Sequence, residues 1–130
     1  MKYLIMTLIV LGLIIVDYLT GIIKAYINNN LSSRKMRLGG LNKLAEMLVM
    51  GVAVGFEIGM SKLGKYADTP ELAGVIGTVT ASGVFGYIAL MEILSIFENY
   101  SEISPDAKWV KRLIKRLKIS QDEDKGDDDE

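Results

Sequence analysis

The stretch that decides the fold lies at the amino end, where residues Tyr3 to Ile23 read YLIMTLIVLGLIIVDYLTGII. Asp17 is its one charged residue. As a helix, this stretch is expected to be about 30 Å long, which matches the hydrocarbon thickness of a bilayer. A signal peptide is the competing interpretation, but the apolar run exceeds a normal h-region and no small-residue cleavage site follows it. The pattern therefore favours an uncleaved membrane-spanning helix.

Two further apolar stretches follow in the 130-residue chain. One runs from Leu44 to about Met60 and the other from about Leu72 to Phe97. The short polar segment between them contains Gly64 and Pro70, which are typical turn residues. We therefore predict an all-α integral membrane protein with three transmembrane helices, followed by a cytoplasmic amphipathic helix. The predicted transmembrane region is 1–100, with spans at about 3–23, 44–60 and 72–97.

The composition limits the chemistry that the chain can perform. It contains neither Cys nor His. Disulfides, thiolate nucleophiles, histidine general bases and zinc sites are therefore excluded, and we predict no metal and no cofactor. The net charge of −1 is a cancellation between a basic segment at 108–118 and an acidic carboxyl end.

Positive charge is distributed unevenly among the segments that flank the apolar stretches. The connection after the first stretch and the segment after the third are rich in Lys and Arg, whereas two acids offset the two Lys residues after the second. Because Lys and Arg favour the cytoplasmic side, three spans with the N-terminus outside and the C-terminus inside satisfy both rich segments. In the first connection the basic residues are Lys24, Arg34, Lys35, Arg37 and Lys43.

A basic amphipathic helix is predicted at 104–119. Ser104 is a suitable N-cap residue, and Pro105 suits the first helical position. The negative charge of Asp106 is favourable at the positive end of the helix dipole. Apolar residues recur at helical spacing from Trp109 onward, which favours a helix on the cytoplasmic membrane surface; docking on a partner protein is the alternative. Residues 120–130 are predicted to form a disordered acidic tail. The candidate membrane-surface residues are Lys108, Trp109, Lys111, Arg112, Lys115, Arg116 and Lys118.

Four acidic residues lie within the predicted spans and are candidates for a polar face. A charge at the bilayer centre costs about 2.5–3.5 kcal/mol, so such residues indicate function by default. The three glutamates lie near span ends, and snorkelling to the interface explains them equally well. Asp17 lies deeper; a local attraction to Lys24 fits the spacing, although two helical turns is long for a direct contact. The candidates are Asp17, Glu46, Glu57 and Glu92.

Small residues supply candidate packing positions. In the second span three glycines repeat every four residues, nearly opposite Glu46 and Glu57, which favours close helix association. Packing within one chain is the alternative. If several copies turn the acidic faces of their helices toward a common lumen, water in that lumen can hydrate the acids. The predicted partners are therefore membrane lipid and further copies of the chain in a homo-oligomer. No nucleic-acid partner is predicted. The candidate packing residues are Gly51, Gly55, Gly59, Gly74 and Thr78.

Three segments together resemble the phage lysis and toxin-secretion holin family. They are VDYLTGIIKA at Val16 to Ala25, LSSRKMRLGGLNKLAEM at Leu31 to Met47 and EILSIFENYSEISP at Glu92 to Pro105. Their order and spacing carry the resemblance, which covers roughly residues 10–118.

The resemblance implies a non-enzymatic phage protein of the host bacterial cytoplasmic membrane. Such a protein accumulates harmlessly and then assembles into lesions that release an endolysin for host-cell lysis. The endolysin is a functional partner for which no direct contact is necessary. Two other classes remain open: a small membrane anchor that recruits a partner, and a small proton-coupled transporter, which usually needs four spans.

Overall fold

The computed structural model describes residues 2–123, and it describes side chains for residues 2–119. All regular structure in residues 2–123 is helical. The first three helices are long and apolar enough to cross a membrane, which confirms the predicted fold class. The predicted disordered acidic tail begins at residue 120, but residues 120–123 are the last residues of the fourth helix; residues 124–130 of the tail lie outside the described residues. The helices are α1 (Lys2–Ile27), α2 (Ser33–Tyr66), α3 (Pro70–Ile103) and α4 (Lys108–Glu123).

Helix α2 begins well before the apolar stretch that predicted it. The Ser32 hydroxyl caps the helix by accepting a hydrogen bond from the backbone N–H of Lys35, at 3.5 Å. The residues that follow are mostly good helix formers such as Arg, Lys, Met and Leu. The basic residues between 34 and 43 are therefore helical, and the connection itself is residues 28–32. Asn29 has a φ of 50° there, in the left-handed region that Asn tolerates.

The reversal between α2 and α3 occupies residues 67–69. Asp68 has a φ of 52°, and the N–H of Thr69 donates to the Gly64 carbonyl at 2.9 Å. Gly64, predicted as a turn residue, lies within α2. A Cβ on Gly64 would be 2.5 Å from the Cβ of Ala73, so this glycine allows the two helices to meet closely beside the turn. Pro70 is the first residue of α3, a position where its missing N–H costs nothing.

The three long helices pack around a small apolar core, and α3 contacts each of the other helices. The buried core residues are Val10, Ile14, Met50 and Ile88. Many large apolar side chains remain on the outer surface of the bundle, including Leu48 and Val52. An exposed apolar surface of this kind suits contact with lipid.

Two ion pairs mark the ends of the bundle. At one end Lys24 of α1 lies 3.4 Å from Glu102 of α3, next to the start of α2; we call this the basic end. At the other end Lys2 of α1 lies 2.5 Å from Glu57 of α2, on the side of the α2–α3 turn; we call this the turn end. The connection between α1 and α2 therefore lies at the same end as the start of α4.

Helix α4 begins at Lys108, later than the predicted start at Ser104. The N–H of Ser104 closes the last turn of α3 by donating to the Tyr100 carbonyl at 2.8 Å, so Ser104 ends one helix instead of capping the next. Val110 is fully buried, and α4 contacts α3 but, among the described residues, neither α1 nor α2. The rings of Tyr100 and Trp109 lie 6.3 Å apart across this contact.

Candidate functional site

The four charged residues Asp17, Lys43, Glu46 and Glu92 meet inside the bundle, and we call them the Lys43 cluster. The Lys43 ammonium lies 3.0 Å from Oδ2 of Asp17 and 3.5 Å from Oε2 of Glu46. It also donates a hydrogen bond to Oε1 of Glu92. Asp17 and Glu92 are only 6% and 1% exposed, so these carboxylates are buried between helices. The cluster therefore ties α1, α2 and α3 together through one ammonium group.

Helical spacing explains why these side chains converge. Asp17 follows Val10 and Ile14 on the buried face of α1, at intervals of seven and three residues. Glu92 follows Ile88 by one turn on the buried face of α3. Lys43 and Glu46 are three residues apart on α2, where side chains are neighbours on one face.

A polar layer supports Asp17 from the side of α3. The side-chain amide of Asn99 donates to Oδ1 of Asp17 at 3.0 Å and to Oγ1 of Thr20 at 3.3 Å. Thr20 in turn donates to the Asp17 backbone carbonyl at 2.9 Å. Both carboxylate oxygens of Asp17 are therefore engaged, one by Lys43 and one by Asn99, as a buried charge requires.

The Lys43 cluster contains more carboxylate than ammonium, because three acids surround one lysine. Two buried oxygens in it, Oε2 of Glu46 and Oε2 of Glu92, have no hydrogen-bond partner among the described residues. The Glu46 oxygen keeps only its long ionic contact with Lys43, at 3.5 Å. A buried acceptor without a hydrogen bond is costly, because it has lost its bonds to water. Both oxygens can therefore accept further hydrogen bonds.

Glu57 forms a second buried site nearer the turn end. It is 4% exposed, and its Oε1 accepts hydrogen bonds from Lys2 at 2.5 Å and from Thr78 at 2.9 Å. Gly77 allows this approach of α2 and α3, because a Cβ there would lie 3.0 Å from the Cα of Glu57. Glu57 and Glu92 are thus buried among helices, in contrast to the snorkelling alternative.

The candidate packing residues are placed differently from one another. At Gly51, Gly55, Gly59 and Gly74, no described atom beyond the adjoining residues and the surrounding helical backbone lies within 4 Å of where a Cβ would be. These four positions are therefore open in the single chain. Thr78 instead bonds to Glu57. The glycines that bring α2 and α3 together are Gly64 and Gly77, to which the sequence pattern assigned no packing role.

The candidate membrane-surface residues lie on α4. All six basic residues are exposed, and Trp109 is 56% exposed. Val110 is buried on the opposite side, and Leu113, Ile114 and Leu117 are half-buried. Lys118 lies 2.7 Å from Glu98 of α3. The six exposed basic residues of α4 are Lys108, Lys111, Arg112, Lys115, Arg116 and Lys118.

Three partners of the buried acids had no predicted role in the site: Lys2, Lys43 and Asn99. Lys43 precedes Glu46 by three residues and Asn99 follows Glu92 by seven, so helical spacing from the acids was the available signal. The local attraction between Asp17 and Lys24, which the sequence spacing allowed, is not formed as an ion pair. Lys24 lies about 10 Å further along the helix axis and pairs with Glu102, while Lys43 approaches Asp17 from the adjacent helix.

Fold and site together define a helical membrane protein whose intramembrane acids are paired inside one chain. The sequence model of the bacteriophage holin family matches residues 1–119, and the chain belongs to this family. The match covers all three apolar helices and most of α4, and it confirms the resemblance that the sequence segments indicated. No curated protein and no solved structure matches the chain.

Proposed function

We propose that this holin accumulates in the host bacterial cytoplasmic membrane as closed bundles and then oligomerises into lesions that release an endolysin. The observation that carries the proposal is the pairing of acids from all three long helices within a single chain. Lys43 serves Asp17, Glu46 and Glu92, and Lys2 serves Glu57. A closed bundle of this kind presents an apolar surface to lipid and hides its charge.

The same pairing supplies the chemistry for opening. Each charge left unpaired in lipid costs about 2.5–3.5 kcal/mol, so a single chain gains nothing by separating its helices. In an assembly, the acids instead face a lumen where water hydrates them. The unsatisfied oxygens of Glu46 and Glu92 then find partners. Opening is therefore favoured by assembly and disfavoured in the isolated chain.

We propose that the open glycines of α2 form the contact between copies. Gly51 and Gly55 are exposed, and the absence of a side chain allows another helix to approach closely. This stripe lies on the outside of the bundle, nearly opposite the buried acids. Association through it leaves the Lys43 cluster intact, so association and opening are separate steps.

We propose an orientation with the N-terminus outside and the C-terminus inside. Helices α2 and α4 begin at the same end of the bundle, and their segments 34–43 and 108–118 carry ten of the fifteen basic residues. A chain that crosses the membrane three times satisfies the preference of Lys and Arg for the cytoplasm with this arrangement. The exposed basic residues of α4 then face the anionic cytoplasmic surface.

Controlled expression in bacteria tests the proposal. Viability and membrane potential are followed with and without a co-expressed endolysin that has no export signal. We expect growth to continue until an abrupt loss of potential, with lysis only when the endolysin is present. Growth with unchanged potential contradicts the holin function and favours a membrane anchor. Growth with resistance to cationic drugs favours a transporter.

A matched pair of glycine substitutions tests the contact between copies. Gly55→Leu places a large side chain on the open stripe of α2, whereas Gly12→Leu places the same side chain on the open face of α1. We expect Gly55→Leu to reduce crosslinked oligomers and delay the loss of potential, and Gly12→Leu to behave as wild type. Equal crosslinking by both variants would remove the α2 stripe from the proposal.

A further inference from the structure

A cavity of about 500 Å³, most of whose lining residues are polar or charged, opens at the basic end, between the end of α1, the start of α2 and the end of α3; we call it the polar cavity. Three lysines from two helices line it: Lys24 from α1, and Lys35 and Lys43 from α2. Asparagine and serine side chains contribute neutral hydrogen-bonding groups to the wall. Two acids, Asp17 and Glu102, also contribute to the lining.

Two of these lysines are available to an anionic ligand. Lys43 is committed to its buried cluster, whereas the Lys35 ammonium bonds, within residues 2–119, to a neutral group, the side-chain oxygen of Asn30 at 3.2 Å. Lys24 faces Glu102 at 3.4 Å, and both of these side chains are substantially exposed. Exposed pairs of this kind contribute little, so a stronger anion can replace Glu102.

An apolar crevice of about 240 Å³ lies beside the polar cavity, toward the middle of the bundle. Tyr18 and Lys43 line both spaces, so the two are adjacent. The rest of the crevice wall comes from Ile14, Ile15, Leu19 and Gly40. A chamber with lysine side chains in its wall, beside an apolar crevice, matches the order of headgroup and acyl chain in a phospholipid.

We propose that these two spaces bind one anionic phospholipid from the leaflet at the basic end. The phosphate lies between Lys24 and Lys35, and an acyl chain follows the crevice past Ile15 and Leu19. Basic pockets between membrane helices are known to accept anionic lipid headgroups. A free phosphate would use the same lysines but leave the crevice empty, so the adjacency favours the lipid. The inference requires a membrane-embedded chain and does not depend on lysis.

Titration of the purified full-length protein in neutral detergent tests this site. Short-chain phosphatidylglycerol is added, and bound lipid is counted by native mass spectrometry. We expect one saturable phosphatidylglycerol site and much weaker binding of phosphatidylcholine. Lys35→Gln should weaken phosphatidylglycerol binding about fivefold, the effect of one basic residue at a membrane surface. Glu102→Gln should tighten binding, because a competing carboxylate is removed.

Arg34→Gln is the matched control, because Arg34 precedes Lys35, carries the same charge and does not line the cavity. We expect it to retain wild-type affinity. Equal weakening by Arg34→Gln and Lys35→Gln would overturn the site and indicate general attraction to the basic end. Absence of saturable phosphatidylglycerol binding would also overturn it. Inorganic phosphate that binds as tightly as the lipid would overturn the assignment to phospholipid.

Discussion

Replacing Lys43 by Met removes the single cation of the Lys43 cluster while keeping a side chain of similar length. Asp17, Glu46 and Glu92 would then face one another without an ammonium group. At an effective dielectric constant of about 20, the pair at 3.0 Å between Lys43 and Asp17 is attractive by about 5 kcal/mol before desolvation is subtracted. Removing one partner of a buried pair typically costs about 3–5 kcal/mol. We therefore expect a loss of about 3 kcal/mol in the free energy of unfolding.

Unfolding by sodium dodecyl sulfate in mixed micelles, followed by far-ultraviolet circular dichroism, measures this loss. The matched control is Lys24→Met, which makes the same change at the exposed pair with Glu102. That variant should lose no more than about 1 kcal/mol, since exposed ion pairs are worth little. If Lys43→Met and Lys24→Met unfold at the same detergent fraction, the Lys43 cluster does not stabilise the bundle.

A second substitution separates lost attraction from poor packing of the new side chain. In the double variant Lys43→Met with Glu92→Gln, one of the three unpaired acids becomes neutral. We expect this variant to recover part of the stability that Lys43→Met loses. A double variant less stable than Lys43→Met would mean that electrostatic repulsion is not the cause, and the reasoning would be refuted.

Two further pairs of substitutions, each a test variant with its control, probe packing between helices. Gly77→Ala places a Cβ 3.0 Å from the Glu57 backbone and should lower the free energy of unfolding by about 1–3 kcal/mol in the same assay. Gly74→Ala places its Cβ in open space and should be neutral or slightly stabilising. Equal effects of the two variants would contradict the close contact between Gly77 and Glu57. Val110→Asp puts a charge into the contact between α3 and α4 and should move the fluorescence of Trp109, the one tryptophan of the chain, toward that of a solvated indole. Lys115→Asp, on the exposed side of α4, should leave that emission unchanged, and an unchanged spectrum in both variants would show that α4 does not depend on this contact.

The apolar pattern predicted the helices well because it reports directly on the medium around them. The stretch from Tyr3 to Ile23 is long and apolar enough to span a bilayer. Because lipid offers no hydrogen bonds, its backbone N–H and C=O groups must pair with one another, which a helix achieves. Helix ends were harder to predict. Ser32 starts α2 long before the apolar residues, and Ser104 ends α3 although its type and neighbours also suit an N-cap. A serine can cap a helix only where the adjacent turn is helical, and the residue type alone does not say on which side of the serine that turn forms.

The amino-acid sequence by itself determined the membrane class, the three apolar helices, the amphipathic fourth helix and the positions of four acids among apolar residues. Only the tertiary structure decided which groups neutralise those acids. Lys43 and Asp17 are 26 positions apart in the chain but 3.0 Å apart in space, and no spacing rule connects residues on different helices. The open glycines of α2 and the cavity at the basic end were likewise decided by the tertiary structure. Whether a helix face is covered depends on how neighbouring helices cross, and that is set by the packing of the whole bundle.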